Sequence, residues 1–541
     1  MATLAPDAPR GVLPDRRPRR WLLAWLALVT AFFLACSTPF LNDFPLLSGD
    51  EAWVMSVSNR LSASGRLGTD LFAGYFRAGE VYFINLPMHH FWQAAAFLTL
   101  GTGVWQARLV TIAAAVALVW IVGWLALRWY GLAVAVVSSG LLVFWSSGLA
   151  GGTIPLLQTG RTARYDLSSV CAVWVAVALM DRLARVPSAG TAVGLGVAAG
   201  VATLTQFHGA VAVLVAAVWW LWLWSRHLVP AVSGLYLAGG FAATVCPYAI
   251  YIVANWDAFV GQQSMHAARF GFSDLRFYLQ NFFHEWRRFW IGGERPIGFW
   301  LFLTALGPAV WHLARRAARG RERADRLLVA TLVVSWSFLA LVESVKAPLY
   351  ALILVPPISI TLALGAVEAF RWRPRAASPS VVPAIVRGLV AAALLAVLVD
   401  GVATYRLTVR SASQAVTQDL IGASLRKAVP GGTVVAAFEA FWWPLRGSHS
   451  LRSWGSLWNQ WAARPGAASD PMAFHDLLAR AGVQYMLLSR PDQTYLLSQP
   501  GALREQTQLV MNRCSLAVTS VDLPWYGEVV VRELRACELG R

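Results

Sequence analysis

The sequence predicts a polytopic α-helical membrane protein that ends in a small α/β domain. Three observations carry this prediction. The chain of 541 residues is 57% hydrophobic and only 13% charged, whereas a soluble protein carries about a quarter charged residues. Its apolar residues fall in long runs, each close to the ~20 residues a helix needs to cross a bilayer. From about residue 404 the composition changes, and the long runs give way to short ones that read as strands.

The first 20 residues are polar, Pro-rich and basic, with Arg16, Arg17, Arg19 and Arg20, and read as a cytoplasmic tail (1–20). The apolar run Trp21–Phe40 follows. It is longer than the apolar region of a signal peptide, and no Ala-x-Ala cleavage site comes after it, so it reads as a retained first span. Further spans are expected at roughly 106–127, 132–150, 167–181, 191–207, 210–224, 231–253, 297–313, 327–343, 348–370 and 384–403. That makes about eleven transmembrane helices in a membrane domain over 21–403, with a further half-inserted helix expected at 85–101. With the N-terminus inside, the inside segments 1–20, 128–131, 182–190, 225–230, 314–326 and 371–383 all carry Arg, as the positive-inside rule requires. The net charge of +17 is therefore assigned to topogenic Arg rather than to a nucleic-acid surface. The 27 Trp suit interfacial belts and, secondarily, sugar stacking. Five Cys without a CxxC spacing argue against a zinc or redox motif.

An odd number of spans places the C-terminal part outside. There 433–438 and 483–488 read as strands, and 471–481 as a helix stopped by Gly482. Residues 404–541 thus read as an outer-face α/β domain of ordinary size. Cys514 and Cys537 both lie in it. An oxidising compartment permits a disulfide between them, and two free thiols are the alternative.

The stretch Ser48-Gly49-Asp50-Glu51-Ala52 follows the first span on the face opposite the Arg-rich loops. Asp50 and Glu51 could be ordinary loop acids, but a carboxylate in a partly dry cavity there can serve as a general base. Before the fourth span stands Arg161-Thr162-Ala163-Arg164-Tyr165-Asp166. Arg164 there can pair with Asp166 or grip a phosphate. Thr205-Gln206-Phe207-His208-Gly209 brings His208 to the same face, where a lone His is more often packed than a ligand. His89 and His90 follow Asn85-Leu86-Pro87. Adjacent residues diverge on a helix, which disfavours a two-His metal site. Between spans nine and ten, Glu343-Ser344-Val345-Lys346-Ala347-Pro348-Leu349-Tyr350 holds the sole Lys of the membrane region. Lys346 on an outer loop fits a bound anion, or an interfacial snorkelling role. Under one topology Asp50, Glu51, Arg164, Asp166, His208, Lys346 and Tyr350 all share the outer face.

From span one to span ten, the order of these motifs resembles the GT-C membrane glycosyltransferases. The likeness is to the bacterial branch that contains the lipid A aminoarabinose transferases and relatives of the protein O-mannosyltransferases. The residues that carry it are Gly49-Asp50-Glu51-Ala52, Asn85-Leu86-Pro87-Met88-His89-His90-Phe91-Trp92, Gly103-Val104-Trp105-Gln106-Ala107-Arg108-Leu109, Arg164-Tyr165-Asp166, and Lys346 with Tyr350 and Pro356-Pro357. Two departures stand out. The family's double Pro is reduced to Leu86-Pro87, with His89-His90 where aromatics are usual. The family's turn after helix five reads Gln206-Phe207-His208-Gly209. Both fall where donor or acceptor would bind and leave the sugar open.

The resemblance implies inverting transfer of a sugar from a polyprenyl-phosphate donor to a hydroxyl acceptor. The acceptor is a lipid, an envelope glycan or a protein, and the face is the outer one of the bacterial cytoplasmic membrane. It implies Asp50 as base, with Lys346, Arg164, Tyr350 and His208 on the donor phosphate. Glu51 and Asp166 are then supporting acids, and His89 and His90 line the pocket. A divalent metal, Mg2+ or Mn2+, on Asp50, Glu51 and Asp166 is compatible with the family, although a monophosphate donor favours a metal-free site. The rival readings are a flippase for lipid-linked sugars and a non-catalytic assembly subunit. Transporters usually place their polar residues at mid-membrane in broken helices, whereas these acids cluster at one interface.

Overall fold

The computed structural model describes residues 16–145, 155–267, 271, 273–289, 297–320, 322–372, 381–499 and 501–537. The apolar runs are helical, as they must be where lipid offers the backbone no hydrogen-bond partners. In chain order they are α1 (Arg16–Ser37), α2 (Gly49–Ser64), α3 (Met88–Leu100), α4 (Val104–Tyr130), α5 (Leu132–Phe144), α6 (Pro155–Gly160), α7 (Tyr165–Arg185), α8 (Ala189–Thr205), α9 (Val211–Ser225) and α10 (Val232–Ala254). Then follow α11 (Trp256–Ala267), α12 (Leu275–His284), α13 (Trp286–Phe289), α14 (Ile297–Ala318), α15 (Arg323–Leu341), α16 (Val355–Arg371), α17 (Val382–Ser413) and α18 (Gln418–Ala428).

Among the described residues, 8 helical segments are long and apolar enough to cross a membrane. They are α1, α4, α7, α9 and α16 each with the 3-10 turn before it, α10, α15, and the segment that begins with α17. The spans expected at 132–150 and 191–207 form as the apolar helices α5 and α8, of 13 and 17 residues. At a rise of 1.5 Å per residue these reach roughly 20 and 26 Å, short of the ~30 Å hydrocarbon core. Residues 146–150 of the former lie outside the described residues. The span expected at 297–313 is α14, and the helix expected at 85–101 is α3. α17 continues to Ser413, past the end expected for the last span. Most of the tail expected at 1–20 lies outside the described residues.

The bundle has two chemically distinct ends. At one, Arg323 donates to Ala184 O at 2.6 Å and Arg316 pairs with Asp325 at 3.1 Å, so the Arg-rich ends of α7, α14 and α15 meet. The other end carries the starts of α2 and α7 and the turn before α9. α8 and α10 cross closely because glycine faces the contact. A Cβ on Gly196 would lie 2.0 Å from Leu237 O, and one on Gly240 2.3 Å from Val193 O.

The C-terminal part contains β1 (Val434–Ala437), α19 (Trp442–Leu445), β2 (Ser450–Ser453), α20 (Trp454–Ala462), α21 (Ala473–Arg480), β3 (Tyr485–Ser489), α22 (Arg490–Ser498), α23 (Ala502–Arg513), β4 (Ser515–Leu523) and β5 (Gly527–Leu534). The sheet order is β2-β1-β3-β5-β4. β1 pairs parallel with β2 and β3, while β5 pairs antiparallel with β3 and β4. Side chains alternate between the two faces of a strand, and two cores result. Ala436, Met486 and Leu488 pack under Trp454, Phe474 and Leu478. Val435, Leu487, Val529 and Val531 join Leu47, Met55, Leu71 and Phe72 in a second cluster. The sheet therefore rests on α2 and the chain around it. The contact is tight at Gly49, where a Cβ would lie 3.1 Å from the Phe438 ring and 3.2 Å from Glu439 Oε2.

Cys514 and Cys537 are joined in a disulfide across a sequence separation of 23. Closing a loop of that length stabilises by about 3 kcal/mol. The Cys514→Ser/Cys537→Ser double variant should lose that amount, measured as an earlier urea midpoint of Trp fluorescence in detergent. Reductant should shift the wild type in the same way.

Candidate active site

The site is built around the first turn of α2. Ser48 caps the helix: its hydroxyl accepts from Glu51 N at 3.3 Å, and Glu51 Oε2 accepts from Ser48 N at 3.2 Å. This capping box fixes two neighbouring acids in opposite directions. Glu51 points inward and is fully buried. Arg108 of α4 donates to it through Nε at 2.9 Å and Nη2 at 3.1 Å, and Ala163 N donates at 2.7 Å. The same guanidinium donates to Leu41 O at 2.7 Å and to Pro45 O at 2.8 Å. Arg161, also buried, donates to Ser37 O, Pro39 O and Phe44 O at 2.8, 2.9 and 2.9 Å. Two buried guanidiniums thus hold the loop between α1 and α2 against α4 and the start of α7.

Asp50 points outward, with its side chain 54% exposed, and pairs with Arg164. Arg164 Nε also donates to Asp166 Oδ2 at 2.9 Å. Gln206, at the end of α8, donates to Asp166 Oδ1 at 2.9 Å. One cation therefore stands between an exposed and a buried carboxylate, and the buried one is fixed from both sides. Two residues on, His208 shares a 2.9 Å contact with Glu343 Oε2, and the Tyr350 ring lies 4.4 Å from its imidazole. Glu343 Oε1 accepts from Val345 N at 2.8 Å.

Lys346 Nζ meets Glu285 Oε2 at 2.7 Å and donates to Leu339 O at 3.1 Å. Burial lowers its pKa, while Glu285 acts in the opposite direction. Glu285 is also paired with Arg288 at 2.7 Å, whose guanidinium donates to Ala347 O at 3.0 Å. The loop 342–347 is thereby anchored to α13 beside His208.

His89 and His90 are both fully buried. His90 Nδ1 lies 3.1 Å from Ser58 Oγ, and its ring meets Tyr82 edge-on at 5.5 Å. The His89 ring meets Tyr165 edge-on at 6.4 Å. Burial pushes His89 down to about 3 and His90 to about 4, so both are neutral at neutral pH. They stand behind the Arg164–Tyr165 segment as uncharged polar groups.

The structure joins Asp50, Arg164 and Asp166 directly, and His208 with Tyr350. Lys346 sits in a neighbouring ion-paired cluster, and Glu51 is consumed by Arg108. Both Glu51 oxygens and both Asp166 oxygens already accept from cationic or N–H donors. Asp50, Glu51 and Asp166 do not converge as a ligand group among the described residues. This set does not fit a divalent ion.

Sequence reasoning assigned no role to Arg108, Gln206, Glu285 or Arg288. Arg108 stands inside the Ala107-Arg108-Leu109 element, and Gln206 inside the turn that departs from the family pattern, so both positions carried a signal. Glu285 and Arg288 carried none, because nothing in the 254–296 segment marks them as facing Lys346.

No family model and no curated protein matches the sequence. Solved structures do match. ArnT from Cupriavidus metallidurans bound to undecaprenyl phosphate superposes with a TM-score of 0.60 at 17% identity, over 95% of this chain and 98% of that one. The oligosaccharyltransferase AglB from Archaeoglobus fulgidus, in complex with an inhibitory peptide and a dolichol-phosphate, gives a TM-score of 0.55 at 12% identity, over 95% and 74% of the two chains. The mycobacterial arabinofuranosyltransferase AftD gives 0.52 at 16% identity, over 96% of this chain and 40% of that one. A multi-pass helical bundle with a C-terminal sheet seated on α2, alike over nearly its whole length to these membrane glycosyltransferases, has the GT-C fold.

Proposed function

We propose that this protein is an inverting glycosyltransferase that moves a sugar from a polyprenyl-phosphate donor to a hydroxyl acceptor. The reading is carried by Asp50, a half-exposed carboxylate held at a helix start by a cation that is itself fixed by the buried Asp166. Fold neighbours bound to undecaprenyl phosphate and to a dolichol-phosphate support the donor class. Asp50 takes the proton of the acceptor hydroxyl as that oxygen bonds to the anomeric carbon from the face opposite the phosphate. The bond from carbon to phosphate oxygen breaks, and polyprenyl phosphate leaves with the electron pair. A phosphate is a weak base, so no general acid is needed. Its developing charge needs fixed cations and donors, and Arg164, Lys346, His208 and Tyr350 are the groups of this chain at that end of the bundle. His89 and His90, uncharged and behind Tyr165, shape the pocket without adding charge.

The Arg-rich ends of α7, α14 and α15 support assigning that end to the cytoplasmic side by the positive-inside rule. On this reading the site and the 404–541 domain face outward from a bacterial cytoplasmic membrane, and the acceptor is a lipid, an envelope glycan or a protein. The acids gather at one end of the spans rather than at mid-membrane, which favours the enzyme over a flippase.

The test is to incubate the purified protein with a panel of polyprenyl-phosphate sugars and envelope extract. The reading expects free polyprenyl phosphate and a glycosylated product from one donor, and none of either from any donor would overturn it. Lys346→Gln leaves Glu285 matched by Arg288. It is expected to raise the KM for donor about tenfold, the usual scale of one charged hydrogen bond, with a smaller change in kcat.

A further inference from the structure

The ends of α1 and α17 on the Asp50 side enclose a groove of about 550 Å3 that the proposed transfer does not use. It is lined by Phe32 and Cys36 of α1 and by Val402, Tyr405, Arg406, Val409 and Arg410 of α17. Its floor is aromatic and fixed. Tyr405 is buried, donates its hydroxyl to Val143 O at 3.0 Å, and meets the Phe32 ring edge-on at 4.9 Å. Phe32 packs in turn on Phe144 at 5.1 Å.

Two cations line this largely apolar groove. Arg406 and Arg410 are both exposed and lie one helical turn apart. Neither has an acidic partner among the described residues. Like charges at i and i+4 repel each other. They also lie at the end of the bundle away from the Arg-rich loops, since α17 leads there into α18, where Gln418 N donates to Asp43 Oδ1 at 3.0 Å. An unpaired cationic pair on that side, lining a largely apolar groove between two spans, calls for an anion with a hydrocarbon tail.

We propose that this groove binds an anionic phospholipid of the surrounding leaflet. Its phosphate bridges Arg406 and Arg410, and one acyl chain lies along Phe32, Val402, Tyr405 and Val409. Planar guanidinium forks match phosphate oxygens, and basic pockets between membrane helices select anionic head groups. The site is separate in sequence and in elements from Asp50, Arg164 and Lys346. A lipid seated there braces α17, the helix that connects to the C-terminal sheet, against α1.

The test is native mass spectrometry of the full chain in detergent, titrated with phosphatidylglycerol, phosphatidylcholine of the same chains, polyprenyl phosphate and inorganic phosphate. One phosphatidylglycerol is expected to be retained in preference to phosphatidylcholine. In the Arg406→Ala/Arg410→Ala variant its affinity falls about tenfold or more, with phosphatidylcholine unaffected. Val402→Trp keeps both cations and fills the groove, and it should lower phosphatidylglycerol retention as well. All of these side chains are exposed, so the variants should elute as the wild type does. Four results would overturn the proposal. Equal retention of the two phospholipids is one, and phosphatidylglycerol binding indifferent to the Arg pair is another. Displacement by inorganic phosphate would make this a free-anion site. Displacement by polyprenyl phosphate at lower concentration would make it a polyprenyl site.

Discussion

Asp50→Asn is expected to abolish transfer while leaving the protein folded. Loss of a positioned general base lowers the rate by about two to four orders of magnitude, read as polyprenyl phosphate released per minute at saturating donor. Folding should be nearly unaffected. The Asp50 side chain is 54% exposed, and its ion pair is with Arg164, which keeps its 2.9 Å contact to Asp166. An exposed pair of this kind contributes about 0–1 kcal/mol. Donor binding should survive too, because Asn retains the size of Asp and leaves Arg164 free to meet the phosphate. The contrast is Asp166→Asn. Asp166 is buried and holds Arg164 and Gln206 together, so its loss should weaken donor binding and stability at once. Equal activity of Asp50→Asn and wild type would remove Asp50 as the base. A kcat unchanged with a raised KM would assign it to substrate binding instead.

The fold was legible where it rests on local pattern. A run of apolar residues is helical in lipid, and the short, almost wholly buried apolar runs at 434–437 and 485–489, bounded by turn residues, form strands. Both follow from the residues in the window. Gly482, with φ of 71°, ends its helix as the sequence foretold, because only glycine adopts that backbone freely. The eleven spans were drawn on hydropathy, which does not measure length in space, so α5 and α8 came out shorter than a bilayer. The candidate residues were legible as a set at one end of the bundle, because topology alone decides which end of a span a residue occupies. Its pairings were not. Asp50 and Glu51 are adjacent and chemically alike, yet one is half-exposed and the other fully buried. That difference is set by Arg108, far along the chain, and by the 100° turn between neighbours on a helix. Likewise Lys346 looks unpaired in sequence, and its partner Glu285 comes from a segment with no periodicity to orient it.

The buried Glu51–Arg108 pair should give the largest stability effect in the molecule. Both side chains are fully buried, and removing one partner strands the other as an uncompensated charge, a loss of about 3–5 kcal/mol. Arg108→Met leaves the Glu51 carboxylate with two backbone N–H donors, from Ala163 and Ser48, and the Ser48 hydroxyl at 3.4 Å. It also orphans the carbonyls of Leu41 and Pro45. Glu51→Gln keeps the shape and part of the hydrogen bonding, and it leaves the guanidinium on neutral acceptors. Each single variant should therefore unfold at lower temperature in detergent, with Arg108→Met the worse. In the double variant Glu51→Gln/Arg108→Met no charge is stranded. It should be more stable than Arg108→Met alone, with a coupling of about 1–3 kcal/mol between the two sites. Activity adds a second readout. The pair sets the start of α2, and with it the direction of Asp50, so the double variant should recover stability without recovering the full rate. If the two losses simply add, the carboxylate and guanidinium act independently, and the rigidity of the α2 start comes from the Ser48 cap and the sheet packed on Gly49 instead.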